Sequence, residues 1–141
     1  RLAYALKVGP PVCFRGPGDA TPVGYGGADW IGQTIDGIPL VAETKSSLGN
    51  LGRTAVKPHQ ADHLAACARG RGLALLVWEW RGGAGPHPVF AVPWEEVPWV
   101  RRGAGSSISP ADVKNWRLGA DELYFAPALA RFRARRGAQP P

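Results

Sequence analysis

The sequence predicts one α/β domain, a mixed central sheet with helices packed on it. Three observations carry that expectation. Two short strands flank an Asp-Gly turn at Asp36-Gly37, an apolar helical stripe follows, and then comes a nearly unbroken apolar run over residues 73–80. A hairpin, a helix and further strands in that order form a layered α/β fold. The 141 residues, 45% apolar and 20% charged, suffice for one hydrophobic core and not for two.

Each element follows from local pattern. Residues 2–8 and 12–14 read as short extended pieces broken by Gly9-Pro10-Pro11. Glycine and proline dominate residues 15–27, which therefore read as a loop delivering the chain to Asp29. The hairpin occupies residues 29–45. Residues 46–57 carry Gly49, Asn50 and Gly52 without a sustained period and read as a long excursion between strand and helix. Pro58 suits a first helical turn, and Ala61, Leu64, Ala65 and Ala68 follow at helical spacing until Gly70 and Gly72 end the helix. The run 73–80 is apolar at nearly every position, as in a strand covered on both faces. Residues 87–92 suggest another strand, and 93–100 a helix of a turn or two limited by Pro98. Ser109-Pro110 with Asp112 reads as an N-cap, a first-turn proline and an acidic first turn. A closing strand at 123–125 and a basic helix at 128–136 complete the chain.

The hairpin holds the chemistry. Strand side chains alternate with period two, so Asp29, Ile31 and Gln33 share one face, as do Val41, Glu43 and Lys45. Pairing the strands brings Asp29 close to Glu43 and Lys45. Two carboxylates held together oppose each other's ionisation unless a cation lies between them, and hard divalent ions favour such all-oxygen donors. The alternative is a surface hairpin with a solvated Glu-Lys pair.

The formal net charge is +6, with 13 arginines and 4 lysines, which suits a polyanionic partner. Arginine richness from biased base composition is the competing explanation. No apolar run approaches a membrane span and no signal-peptide pattern opens the chain; the expectation is a cytoplasmic protein without membrane association. The chain starts at Arg1 and has no methionine, so a native N-terminal segment is expected to be missing. Cys13 and Cys67 lie far apart, fit no metal spacing, and read as buried thiols.

His59 and His63 have the spacing of a zinc-protease helix, but Gln60 stands where a general-base glutamate is needed. Gln60 lies one turn from Leu64, on the edge of the stripe that faces the sheet. A polar amide there needs partners; it either caps its own helix or completes a metal and water site. The six tryptophans read mainly as packing residues, with one or two available for stacking on bases or for an oligomer contact. Arg131, Arg133 and Arg135 read as a solvated helix end, and as phosphate contacts if they share a face with Asp29.

Asp29, a turn, and then Glu43-Thr44-Lys45 on an apolar strand resembles the core of the PD-(D/E)xK nucleases. Asp29-Trp30-Ile31-Gly32, Glu43-Thr44-Lys45, Lys57-Pro58-His59-Gln60 and Asp62-His63-Leu64 resemble, in order, the RecU-type Holliday junction resolvases. Gly72-Leu73-Ala74-Leu75-Leu76-Val77, Ser106-Ser107-Ile108 and, upstream, Lys7-Val8-Gly9-Pro10-Pro11-Val12 extend the likeness over residues 7–114. The resemblance implies a restriction-endonuclease-like fold over residues 1–141, acting as a homodimer that resolves four-way DNA junctions by paired symmetric nicks in a bacterial or phage-infected cell. It implies magnesium (Mg2+), with manganese (Mn2+) as a substitute, held by Asp29, Glu43 and Gln60, with Lys45 completing the catalytic set. It also implies that residues 46–57 project as a stalk bearing Arg53 and Lys57 toward the DNA. Three departures stand out. Ala28 replaces the proline of the name, Gly27 stands where relatives tend to carry a hydroxyl, and no acidic residue precedes Asp19. The number of metal ions is thereby left open, as is the alternative of a non-catalytic DNA-binding module or a nuclease for other branched or damaged DNA.

Overall fold

The computed structural model describes residues 28–34, 37–103 and 105–119, the backbone of 2–7, 12–16 and 19–22, and Ala130 and Ala134. The strand expected at 123–125, the helix expected at 128–136 apart from Ala130 and Ala134 (both helical), and Arg131, Arg133 and Arg135 lie outside the described residues, as does Asp36.

The strands are β1 (Leu2–Lys7), β2 (Val12–Gly16), β3 (Asp19–Pro22), β4 (Trp30–Thr34), β5 (Pro39–Ser47), β6 (Leu51–Gly52), β7 (Leu73–Trp80), β8 (Val89–Pro93) and β9 (Ser107–Ile108); the helices are α1 (Pro58–Arg69) and α2 (Pro98–Arg101). Five strands form one mixed sheet in the order β1-β4-β5-β7-β8. All neighbours are antiparallel except β5 and β7. A parallel pair needs a crossover, which residues 48–72 supply, with α1 as its main element.

The hairpin forms as the sequence predicts. Trp30 pairs with Ala42 and Gln33 with Pro39. Thr34 N–H donates to the Ile38 carbonyl at 2.9 Å, and Gly37 turns the chain with φ of 78°, a conformation glycine adopts without a Cβ clash. Along β7 the apolar run is buried on both faces. Ala74, Leu76 and Trp78 join Leu64 of α1, Phe90, Val92 and Trp94 in the larger core cluster. Leu73 and Leu75 pack with Leu40 and Ala42 on the opposite face. Trp78, Trp94 and Trp99 are buried, in line with a packing role for most tryptophans.

Three expectations change. Residues 15–27 contain β3, which pairs antiparallel with β2; its Pro22 sits at the strand end, where a missing N–H costs least. At Ser109 the chain makes a turn and then a 3-10 segment at Lys114–Trp116 rather than an α-helix. There Asp112 accepts from the Ser109 N–H at 2.8 Å and hydroxyl at 2.7 Å, and the Phe90–Arg117 bridge draws the chain back to the sheet.

Residues 46–57 form no projecting stalk. β5 runs on to Ser47 because β7 pairs with it as far as Trp80. β6 then pairs with β9, and Arg53 N–H donates to the Ser106 carbonyl at 2.6 Å. Leu51 is 2% exposed and Val56 7%. Burial of those two side chains ties the segment down despite its glycines, leaving 48–50 as its exposed tip.

Candidate functional site

Three elements converge on Glu43. β4 ends at Trp30, opposite Ala42, so the next N–H of β5 on that side, Thr44, meets no strand backbone. The Asp29 carboxylate takes its place. Oδ2 of Asp29 accepts from Thr44 N–H at 2.8 Å and from the Thr44 hydroxyl at 2.5 Å. The Asp29 N–H in turn donates to Glu43 Oε2 at 3.3 Å. Period two on β5 puts Glu43 and Lys45 on the face that α1 covers, and Lys45 Nζ donates to Glu43 Oε1 at 2.6 Å. From α1, Gln60 donates through Nε2 to the same Oε1. The sequence-predicted Asp29, Glu43, Lys45 and Gln60 therefore form one connected cluster.

Gln60 caps its own helix and also joins the cluster. Its Oε1 accepts from the Lys57 N–H at 3.0 Å, capping the helix, and from Lys45 Nζ at 3.2 Å. One amide thus ties the start of α1 to the sheet carboxylate.

Glu43 is fully buried, whereas the Lys45 side chain is 18% exposed. A buried carboxylate is tolerable only when paired and hydrogen-bonded, and Lys45, Gln60 and the Asp29 N–H meet that need. Among the described residues no hydrogen bond reaches Asp29 Oδ1, and Glu43 Oε2 receives only the 3.3 Å contact. These two hard oxygens keep acceptor capacity. Their chemistry fits a magnesium-like ion, which binds through one or two carboxylates and retains several waters. Among the described residues no group of three or more histidine, cysteine, aspartate or glutamate side chains is assembled to hold a metal.

The proposed DNA contacts are less concentrated. Arg53 and Lys57 are exposed on either side of buried Val56, at the entry to α1. Cys67 is a half-buried thiol whose pKa is raised, chiefly by burial, with nearby Glu95 adding to the effect and a Val41 backbone hydrogen bond opposing it.

Two groups escaped sequence reasoning. The first is the Thr44 hydroxyl, whose signal was its position beside Glu43, at the point where β4 stops. The second is Glu79, opposite Ser46 across the parallel pair; it accepts from Ser46 Oγ at 2.8 Å and lies 3.6 Å from His87 Nδ1. Neither had a distinctive sequence spacing.

No protein-family model matches the chain, and no curated protein matches it. Among the described residues no helix is long and apolar enough to cross a membrane.

Proposed function

We propose that this protein is a magnesium-dependent, structure-selective DNA endonuclease that resolves four-way junctions as a homodimer in the cytoplasm. The observation that carries the phosphodiester-cleavage part is the convergence of Asp29, Glu43, Lys45 and Gln60 from a bend, a strand and a helix. The choice of branched DNA rests on the ordered motifs that resemble RecU-type resolvases, and on the net charge of +6.

Asp29 and Glu43 would hold the ion, with Gln60 and a carbonyl of the Thr44 strand beside them. A bound ion of this kind supplies Lewis-acid polarisation of phosphate and activation of water. Thr44 fixes the rotamer of Asp29 through two donors to Oδ2. Gln60 and Lys45 fix Glu43 from the helix side. Lys45, partly exposed, places a positive charge where negative charge builds on the phosphate, the kind of preorganised donor that lowers a transition state. In a homodimer, two such clusters would face symmetry-related strands of the junction.

A second reading has a specific observation in its favour. Lys45 and Gln60 both donate to Glu43 Oε1 and the Asp29 N–H donates to Oε2, and these protein donors together satisfy a buried carboxylate, as in a DNA-binding module without catalysis. A nuclease for other branched or damaged DNA would use the same cluster. One experiment separates them: incubation of a synthetic four-way junction, duplex, flap and single strand with and without magnesium. Magnesium-dependent nicking of the junction in preference to the others is expected. Binding without nicking favours the module, and preferential nicking of another substrate moves the assignment to that DNA.

A further inference from the structure

Period two on β5 places Thr44 and Ser46 on the face of the sheet away from α1. The register sets Val77 beside Thr44, Glu79 beside Ser46 and Val89 beside Glu79. Near the start of β5 and β7 that face is filled by Leu40, Ala42, Leu73 and Leu75. Toward their ends it is open. There Thr44, Lys45, Ser46, Val77, Glu79 and Val89 line a concavity of about 300 Å3, at the small end of the range for ligand sites. It shares Thr44 and Lys45 with the candidate site, so a DNA strand with a phosphate at Lys45 brings its neighbouring nucleotide over this hollow.

Glu79 is held in place within it. Oε2 accepts from Ser46 Oγ at 2.8 Å across the parallel pair. Arg81 Nε stands 4.0 Å from Oε2 and His87 Nδ1 3.6 Å from Oε1, both beyond hydrogen-bond length. The loop that carries those two residues is tied down at its base. Trp80 N–H donates to the Pro88 carbonyl at 3.0 Å and Arg81 N–H to the Ser47 carbonyl at 2.8 Å. Gly82 lies so close to its neighbours that a Cβ there would collide with the Leu48 carbonyl and the Trp80 ring. Among the described residues no hydrogen bond reaches Glu79 Oε1, and the side chain is 42% exposed. It is an oriented, accessible acceptor beside the position of a phosphate.

A carboxylate repels the DNA backbone and accepts only from donors, which DNA carries on its bases. Cytosine presents its N4 amino group where thymine presents the O4 acceptor. The remaining thymine donor, N3–H, lies between two carbonyls that a carboxylate repels. Adenine and guanine also carry amino groups, on a double ring that a hollow of this size suits less well. We infer that this hollow takes a cytosine base, with the N4 amino group on Glu79 Oε1 and the ring over Val77 and Val89. Ser46 is a positioning residue that aims the carboxylate. The inference rests on the DNA-binding part of the proposed function and adds the base read beside the phosphate at Lys45.

The test measures binding of short deoxycytidylate, thymidylate and deoxyadenylate oligomers of equal length by fluorescence anisotropy. EDTA removes cleavage, and mildly alkaline pH keeps cytosine unprotonated. A four-way junction is bound under the same conditions, and its nicking in magnesium is assayed separately. The parent should bind deoxycytidylate about tenfold more tightly than thymidylate, the discrimination of one base-edge contact. In Glu79→Gln the amide keeps an acceptor for cytosine and gains a donor for thymine O4, so the ratio should fall to about one. Thymidylate binding should tighten in that variant, because a negative charge facing the strand is lost. The variant's thermal midpoint is checked against the parent. Equal binding of deoxycytidylate and thymidylate by the parent, deoxyadenylate binding as tight as deoxycytidylate, or a ratio kept in Glu79→Gln overturns the inference. Cytosine preference without junction nicking ends the nuclease reading and leaves this inference standing, and nicking without cytosine preference does the reverse. Absence of binding to any DNA ends both.

Discussion

Thr44 grips Asp29 with two donors on one oxygen, a backbone N–H at 2.8 Å and a hydroxyl at 2.5 Å, both to Oδ2. The backbone donor exists because β4 stops one residue short of Asp29, and the hydroxyl makes the grip directional. Thr44→Val keeps the first donor and removes the second. On the nuclease reading, it should lower turnover about tenfold, within the range for a hydrogen bond to a charged group, and raise the magnesium concentration needed for half-maximal rate. Thr44→Ser should restore both. Unchanged magnesium dependence in Thr44→Val would show that the hydroxyl serves the fold alone.

Asp29→Asn and Glu43→Gln each remove a proposed metal ligand and one negative charge. On the same reading, cleavage should be lost while junction binding is kept or tightened, because repulsion of the DNA backbone falls. Gel-shift and cleavage assays on the same preparations decide the matter. Near-native turnover in either variant would remove the cluster from the chemistry.

Lys45→Ala should reduce turnover by roughly 100-fold, the scale for losing one transition-state donor, with little change in DNA binding. It also strips one donor from a buried carboxylate. Gln60 and the Asp29 N–H remain, so the stability loss should be about 1–3 kcal/mol, below the 3–5 of a buried pair left wholly uncompensated. Denaturant unfolding reads this second effect separately from activity. Equal losses of rate and DNA affinity would make Lys45 an ordinary phosphate contact.

Much of the cluster could be read from the sequence because strand periodicity is local. The Asp-Gly turn sets the register, period two places Glu43 with Lys45, and Leu64 one turn later orients Gln60 toward them. The crossover was harder to read. Gly49, Asn50 and Gly52 signal freedom, while the pairing of Leu51 with Ile108 spans a separation in sequence that no local pattern can reveal. The same holds for Arg117, which returns to Phe90 and so cuts short the helix that Ser109 and Pro110 announce. Thr44's second role needed the end of β4 to be known to the residue.

The turn at Ser109 should leave a pH signature. The hydrogen bonds from Ser109 lower the folded pKa of Asp112, so the folded state binds that proton less readily than the unfolded chain. The stabilisation is fully present above the ordinary carboxylate pKa of about 4 and is lost as pH falls through the lower folded value. Asp112 is exposed, so the effect should be small. The thermal midpoint of the parent should fall more between pH 5 and 3 than that of Asp112→Asn. Parallel midpoint curves would show that the Ser109 hydrogen bonds do not persist in solution.

The segment between β5 and α1 offers a prediction that reverses what a free stalk implies. If residues 46–57 formed a mobile arm, substitutions along it would leave stability untouched. Leu51 is 2% exposed and belongs to the main core cluster, whereas Leu48, three residues earlier, is 71% exposed. Leu51→Ala removes a buried side chain from a packed site and should cost about 2–5 kcal/mol. Leu48→Ser removes surface that is already in water and should change stability by less than about 0.5 kcal/mol. Urea unfolding of both variants beside the parent measures the contrast. Replacing residues 48–55 with a glycine-serine link would delete Leu51 as well, so lost activity in that variant would report lost folding before lost recognition. Leu48→Ser is the cleaner probe of DNA contact by the tip, because it leaves the β6–β9 pairing and the Arg53–Ser106 hydrogen bond in place. Equal stability of Leu51→Ala and the parent would mean that the segment detaches in solution, restoring the projecting arm.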